Sequence, residues 1–280
     1  MLQKLEDIAI EAGNLISQYR SAGPNISRKS DGSPVTDADE AAEELILREL
    51  QKLAPSVAVI AEESVSAGVI DIAPKSTVFL VDPLDGTKEF ISGKPDYTVN
   101  ICLVEDGRPK LGVVFAPARG ELFSGDGSSA YRCRLGQDRS VTERARIRTS
   151  CSSGRLTAVA SASHANAETR DFLGKLPIER TISVGSSLKF CLVAAADAHI
   201  YPRFGRTMQW DTAAGDAVLR SAGGSTLSWD GKEMEYGVWR SETNAFDNPY
   251  FVSYGGGVDE LRQLLALGVG GRPDCIVAAK

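Results

Sequence analysis

The chain has 280 residues, 42% hydrophobic and 24% charged, with a formal net charge of −6. That length makes one large domain or two small ones, and it can bury about three quarters of its unfolded surface. No apolar run reaches the ~18 residues of a membrane span, and no basic stripe suits a nucleic-acid polymer.

Glu6, Asp7 and Glu11 interrupt the apolar N-terminus, which excludes a signal peptide. Five scattered cysteines without a C-x-x-C pair suit reduced thiols in the cytoplasm rather than a disulfide frame.

In chain order, Leu2, Leu5, Ile8, Ala9, Ala12, Leu15, Ile16 and Tyr19 form one face of a helix over 2–19. The turn-rich SRKSDGSPVT follows. Thr36 then opens a second helix, with Asp39 at the capping-box position. Residues 57–61, 78–81, 97–104 and 111–115 read as strands, and ELFSGDGSSAYRC reads as a hairpin. Arg144, Arg146 and Arg148 suit a solvated strand edge.

This first half is two helices and a mostly antiparallel sheet. A boundary near residue 148 divides the chain into 1–148 and 149–280. The second part alternates strands (LTAVAS, TISVG, AHIYP) with helices near 166–175, at SLKFCLVAAA and at DTAAGDAVLRS, an α/β rhythm closed by Gly223-Gly224.

Several chemistries are excluded. Two histidines are too few for a zinc site of His and Cys. No G-x-S-x-G elbow, P-loop or strand-linked G-x-G-x-x-G is present. Pro83-Leu84 break an EF-hand pattern.

A carboxylate set remains. In VDPLDGTKEF a buried strand ends on Asp82, and Asp85 returns to the same side after Pro83-Leu84, whose carbonyls can turn inward. Gly86 and Thr87 then offer backbone N–H groups and a hydroxyl. Hard oxygen donors of this kind suit Mg²⁺. Each piece alone has a plainer reading. Asp82 and Asp85 could cap a turn, Glu62-Glu63 could be a solvated pair, and Asp211 could be an N-cap. Asp37 and Asp39 could be first-turn acids.

Taken together, SDGSPVTDAD (30–39), AEES (61–64), DPLDGTKEF (82–90) and WDTAAGDAVLRSAGG (210–224) span most of the chain. They resemble the Mg²⁺-dependent, lithium-sensitive phosphatases of the inositol monophosphatase superfamily. The resemblance implies an α+β/α/β fold, a layered αβαβα sandwich of the inositol monophosphatase and sugar phosphatase type, holding two or three Mg²⁺ ions. Carried over, Glu62, Asp82 and the Leu84 carbonyl resemble the ligands of a first metal. Asp82, Asp85 and Asp211 resemble those of a second, and Glu62 also that of a weaker third. Asp39 and Thr87 resemble the pair that orients an attacking water.

Lys88-Glu89-Phe90 after DGT looks like the CysQ-type 3′(2′),5′-bisphosphate nucleotidases within that superfamily. SASHANAET (161–169), GSSLKFC (185–191) and IYPRFG (200–205) agree, supplying His164, Ser186, Lys189 and Arg203. With Glu62, Leu84, Asp85, Gly86, Thr87 and Asp211 they form the substrate contacts the resemblance implies. A guanidinium fork such as Arg203 suits a second phosphate. Ala162 stands where that subgroup usually has arginine, and Asp216 where it often has histidine.

The implied activity is hydrolysis of the 3′-phosphate of 3′-phosphoadenosine 5′-phosphate by a metal-activated water. The rivals are an inositol or broad sugar-phosphate phosphatase, and a non-catalytic nucleotide- or metal-binding protein. Peripheral association at the inner face of the membrane, and the choice between monomer and homodimer, stay open.

Overall fold

The structure, a computed structural model, describes residues 1–69, 76–150, 155–161, 166–241, 243, 245–257, 259, 261–263 and 265. Helix α1 (Leu2–Ala22) lays Leu5, Ile8, Ala9, Ala12 and Ile16 against helix α2 (Asp37–Leu53) and a sheet. Between the helices, exposed β1 (Ile26–Arg28) pairs with β2 (Pro34–Thr36), whose Val35 and Thr36 are buried. The predicted capping box is formed: Thr36 is the N-cap of α2 and Asp39 bonds back to it.

Seven strands build the first sheet: β3 (Ala58–Ala61), β4 (Thr77–Asp85), β5 (Thr98–Glu105), β6 (Arg108–Ala116), β7 (Glu121–Gly125), β8 (Ala130–Leu135) and β9 (Val141–Ile147), in that spatial order. β3 and β4 are parallel and every later pair is antiparallel. Two one-turn helices, α3 (Glu62–Ser66) and α4 (Thr87–Ile91), leave the ends of β3 and β4. The exposed edge is β9, which carries Arg144 and Arg146.

The chain then builds a five-stranded sheet from β10 (Leu156–Ser161), β11 (Ile178–Val184), β12 (Ile200–Arg203), β13 (Ser225–Ser228) and β14 (Phe251–Tyr254), in the order β11-β10-β12-β14-β13. β10 runs parallel to β11 and β12, and β14 antiparallel to β12 and β13. Helices α5 (Ala167–Gly174), α6 (Leu188–Ala194) and α7 (Ala213–Ser221) complete the αβαβα sandwich.

The change of sheet falls between Ile147 and Leu156, yet one core is shared across it. Phe190, Val218 and Phe251 pack in one cluster with Val78, Val104 and Val114. α7 lies so close to β6 that a Cβ on Gly112 would sit 2.4 Å from the Ala214 carbonyl oxygen. A side chain there would push the helix away, and the helix follows directly from Asp211.

Candidate active site

The site is built on the ends of β3 and β4. Val78–Val81 are buried on β4, between β3 and β5, so this strand is fixed by its apolar neighbours. Its register then slips: Asp82 faces Asn100 while Asp85 faces Thr98, one residue too many on β4. Strand β4 therefore does not stop at Asp82, as the sequence suggested. It runs on through Pro83-Leu84 as a bulge, a device that re-aims side chains. Asp82 and Asp85 thereby line the same cavity, and the Leu84 N–H donates to Asp82 Oδ1 at 3.0 Å.

Gly86 follows in a left-handed conformation (φ +96°), where a Cβ would lie 2.9 Å from the Asp96 carbonyl oxygen. Only glycine fits that turn without displacing backbone.

Glu62 leaves β3, the parallel neighbour of β4, at the residue after the Ala61–Val81 pair. Asp211 arrives from the second sheet's side, just before α7. Thr212, not Asp211, is that helix's N-cap. The Asp211 carboxylate instead accepts the Met208 N–H at 2.8 Å. Carboxylate oxygens of Glu62, Asp82 and Asp211 lie within 4.8 Å of one another. Asp85 lines the cavity outside that trio, with Ser187 Oγ 3.4 Å from its Oδ2.

This is an uncomfortable arrangement of charge. Burial, then Glu62, Asp85 and Asp211, raises the Asp82 pKa well above the usual carboxylate range. Burial, then Asp85 and Glu62, does the same to Asp211. Burial pushes Asp85 up to about 6, against the opposing pull of Lys189. Crowded buried carboxylates short of positive charge mark a functional site.

Lys29 supplies part of the missing charge, and no motif in the sequence points to it. It sits in the turn after β1, and its Nζ lies 2.6 Å from Glu62 Oε1 and 2.8 Å from Glu63 Oε1. Burial alone would lower its pKa, but the two glutamates outweigh that and hold it above the ordinary lysine value. Glu43 was missed as well. From α2 it accepts the N–H groups of Glu63 and Ser64 at 2.8 and 2.7 Å, fixing the first turn of α3. A lysine in a polar loop and a glutamate inside a helix carry no local pattern that announces either role.

Asp39 is buried and reaches the cavity wall through Thr87, whose hydroxyl lies 3.1 Å from its Oδ1 and 3.3 Å from the Leu84 carbonyl oxygen. Thr36 holds the other oxygen, Oδ2, with its N–H at 2.9 Å and its hydroxyl at 2.6 Å. Burial raises the Asp39 pKa, partly offset by these bonds.

The cavity measures about 410 Å³, and Ser186, Lys189 and Arg203 also line it. Ser186 sits at φ +49°, an uncommon conformation for a non-glycine residue. Its carbonyl accepts from Lys189 Nζ at 2.6 Å. Lys189 Nζ lies 5.5 Å from the centre of the Tyr201 ring. Burial lowers the Lys189 pKa to about 8, although Asp85 pulls it the other way.

Arg203 donates through Nη2 to the Arg206 carbonyl at 3.0 Å, while its buried Nε has no partner. Arg206 lines the cavity too, a cation the sequence did not single out. His164 and Ala162 lie outside the described residues. Asp216, given no role from sequence, is fully buried and bonded to Arg220 and Tyr236.

The family model described as "Inositol monophosphatase family" matches residues 1–251. The chain belongs to the inositol monophosphatase family. A 3′(2′),5′-bisphosphate nucleotidase CysQ of Escherichia coli O157:H7 is 41% identical over 253 residues, covering 90% of this chain and 98% of that protein. The crystal structure of CysQ from Bacteroides thetaiotaomicron has a TM-score of 0.74 at 33% identity, covering 90% of this chain and 96% of that one. An inositol monophosphatase from Thermotoga maritima has a TM-score of 0.72 at 26% identity, covering 94% and 95%.

Membership of the inositol monophosphatase family implies a metal-dependent phosphatase, and the acidic trio fits a cation. Its donors are all oxygen and it is short of positive charge, as a hard divalent ion requires. Among the described residues, no helix is long and apolar enough to cross a membrane.

Proposed function

We propose that this chain is a Mg²⁺-dependent 3′(2′),5′-bisphosphate nucleotidase that removes the 3′-phosphate of 3′-phosphoadenosine 5′-phosphate, giving AMP and phosphate. The observation that carries the reading is one cavity lined both by the Glu62, Asp82 and Asp211 carboxylates and by the cations Lys189 and Arg203. A monoester needs only the first group. A substrate with a second phosphate needs the other. The similarity to proteins named as bisphosphate nucleotidases, over 90% of the chain, supports the same choice.

Glu62, Asp82, Asp85, Asp211 and the Leu84 carbonyl would hold two or three ions. When bound, such ions supply a low-pKa water and neutralise charge on the phosphoryl oxygens.

The chain's own groups do the rest. Thr87 stands between the attacking water and Asp39: the water's proton passes to Thr87 Oγ1 as the Thr87 proton passes to Asp39. The left-handed turn at Gly86 lets the backbone come close to the phosphoryl group. Arg203 and Lys189 hold the 5′-phosphate with charge-assisted hydrogen bonds, aided by Ser186 and His164. The departing 3′-oxygen takes a proton from solvent water and leaves as the ribose hydroxyl, and Asp39 returns its proton to solvent. The reading includes a cytoplasmic location, in keeping with the buried free thiols of Cys102, Cys133 and Cys191.

The test is phosphate release with Mg²⁺ from 3′-phosphoadenosine 5′-phosphate and from inositol 1-phosphate, side by side, with Asp85→Asn as the blank. A strong preference for the nucleotide is expected. Preference for the inositol ester would overturn the second-phosphate reading and keep the metal site. Release from neither would overturn the catalytic reading.

A further inference from the structure

Asn248 belongs to none of the motifs singled out in the sequence and does not line the cavity. It nonetheless grips both flanks of Asp211. Its Nδ2 lies 2.7 Å from the Met208 carbonyl oxygen, 2.9 Å from Thr212 Oγ1 and 3.1 Å from Thr207 Oγ1. Its backbone N–H donates to the Thr207 carbonyl at 2.9 Å. Met208 is the residue whose N–H orients the Asp211 carboxylate, and Thr212 is the N-cap of α7. One amide with two protons thus closes the turn that carries Asp211.

The preceding residue faces the other group in the cavity. Asp247 is buried, bridges Met208 in antiparallel fashion, and places Oδ1 2.9 Å from Nε of Arg206, an ion pair without hydrogen-bond alignment to a side chain that is 66% exposed. Its own carbonyl is held by Arg240 Nε at 2.7 Å. Two adjacent residues therefore position two different parts of the cavity wall, an acid and a cation.

We propose that Asp247 and Asn248 are a positioning pair: Asn248 aims Asp211 at the cation site, and Asp247 aims Arg206 at the phosphate the metals do not reach. The pair sets the span between the two. This inference rests on the functional reading above.

The physical reason is the precision that metal ligation demands. Outer-shell partners of ligands cost about 10–100-fold in metal affinity when removed. The Asp211 turn lies outside any helix or strand and is held by one bridge and a few backbone bonds, to which the Asn248 amide adds.

The first measurement is Mg²⁺ affinity of substrate-free protein by calorimetry, beside the thermal midpoint. Asn248→Ala is expected to weaken Mg²⁺ binding about 10–100-fold, and added Mg²⁺ is expected to restore turnover. Asp247→Asn is expected to bind Mg²⁺ like the parent and to raise KM for the bisphosphate about tenfold.

A purely structural role would lower the thermal midpoint and leave the Mg²⁺ affinity alone, and that result overturns the Asn248 assignment. If Asn248→Ala does not fold, Thr212→Val removes one of its acceptors, and unchanged Mg²⁺ affinity in that variant overturns it equally. An unchanged KM in Asp247→Asn overturns the Arg206 half. A parent protein that binds no Mg²⁺ overturns both this inference and the metal reading beneath it. Equal binding by parent and Asn248→Ala overturns this inference alone.

Discussion

The Thr87 hydroxyl lies 3.1 Å from Asp39 Oδ1, joining the first turn of α2 to the first turn of α4 at the edge of the cavity. Asp39 is immobilised by Thr36 on its other oxygen, which leaves Oδ1 to accept the Thr87 hydroxyl. Thr87→Val is expected to lower kcat by about 10²–10⁴-fold, the usual range for a lost proton-transfer group. Asp39→Asn should do the same. The double variant should be no slower than either single, because the two act as one unit. Steady-state rates of the three variants check this. Additive losses would separate the roles.

Asp85 gives a pH signature. Its carboxyl titrates near 6 in the folded protein because burial outweighs the attraction of Lys189. A carboxyl raised above its unfolded value binds its proton more tightly when folded. The stability it contributes is therefore present below about pH 4 and lost as pH rises through 6. Metal-free protein should show a thermal midpoint that falls between pH 5 and pH 7, and Asp85→Asn should flatten that fall. The same variant should lose roughly a hundredfold or more in turnover, beyond what an outer-shell change costs. Melting curves across pH, with and without Mg²⁺, read both effects.

Lys189 gives a signature on the alkaline side. Burial lowers its pKa to about 8, so above that pH the free protein loses a charge beside the proposed second phosphate. The kcat/KM for 3′-phosphoadenosine 5′-phosphate should fall above about pH 8, since that parameter reports the free enzyme. Lys189→Met should lower it about tenfold or more at pH 7 and remove the alkaline fall.

Lys29 is the counter-charge of the metal-free site. Lys29→Met leaves Glu62 and Glu63 together without a cation. Removing one partner of a fully buried pair costs about 3–5 kcal/mol, but Glu62 keeps 25% of its side chain exposed, so about 1–3 kcal/mol is expected here. Mg²⁺ should bind more tightly to the variant, having no ammonium to displace, and should restore its stability. Denaturant unfolding at several Mg²⁺ concentrations distinguishes this from a simple packing defect, which Mg²⁺ would not repair.

The legible parts of the molecule were those with a short-range pattern. The apolar face of α1, the Thr36–Asp39 box and the Asp82–Thr87 segment each announce themselves within a dozen residues. The bulge at Pro83-Leu84 was legible as a return of Asp85 to the same side, though not as a continuing strand. What escaped was held by contacts between distant segments. Lys29 meets Glu62 from a polar loop, and Ser187 bridges Asn100, Asp85 and the Asp211 carbonyl. Asn248 meets Met208 from a stretch with little regular structure. A single serine, lysine or asparagine has no periodicity to betray its partner, and only the folded backbone brings the two ends together.

Glu62 and Asp82 leave neighbouring strands of the first sheet, whereas Asp211 and the residues that clamp it come from far later in the chain. A nascent chain that has emerged only as far as β9 would carry some of the acids and none of the clamp. Lys29 can already sit on Glu62 at that stage, since its hairpin precedes β3. On the proposed metal reading, Lys29 would stand in for the divalent ion in such a partial chain, and the ligand set is complete only once Asp211 and its clamp have joined the fold.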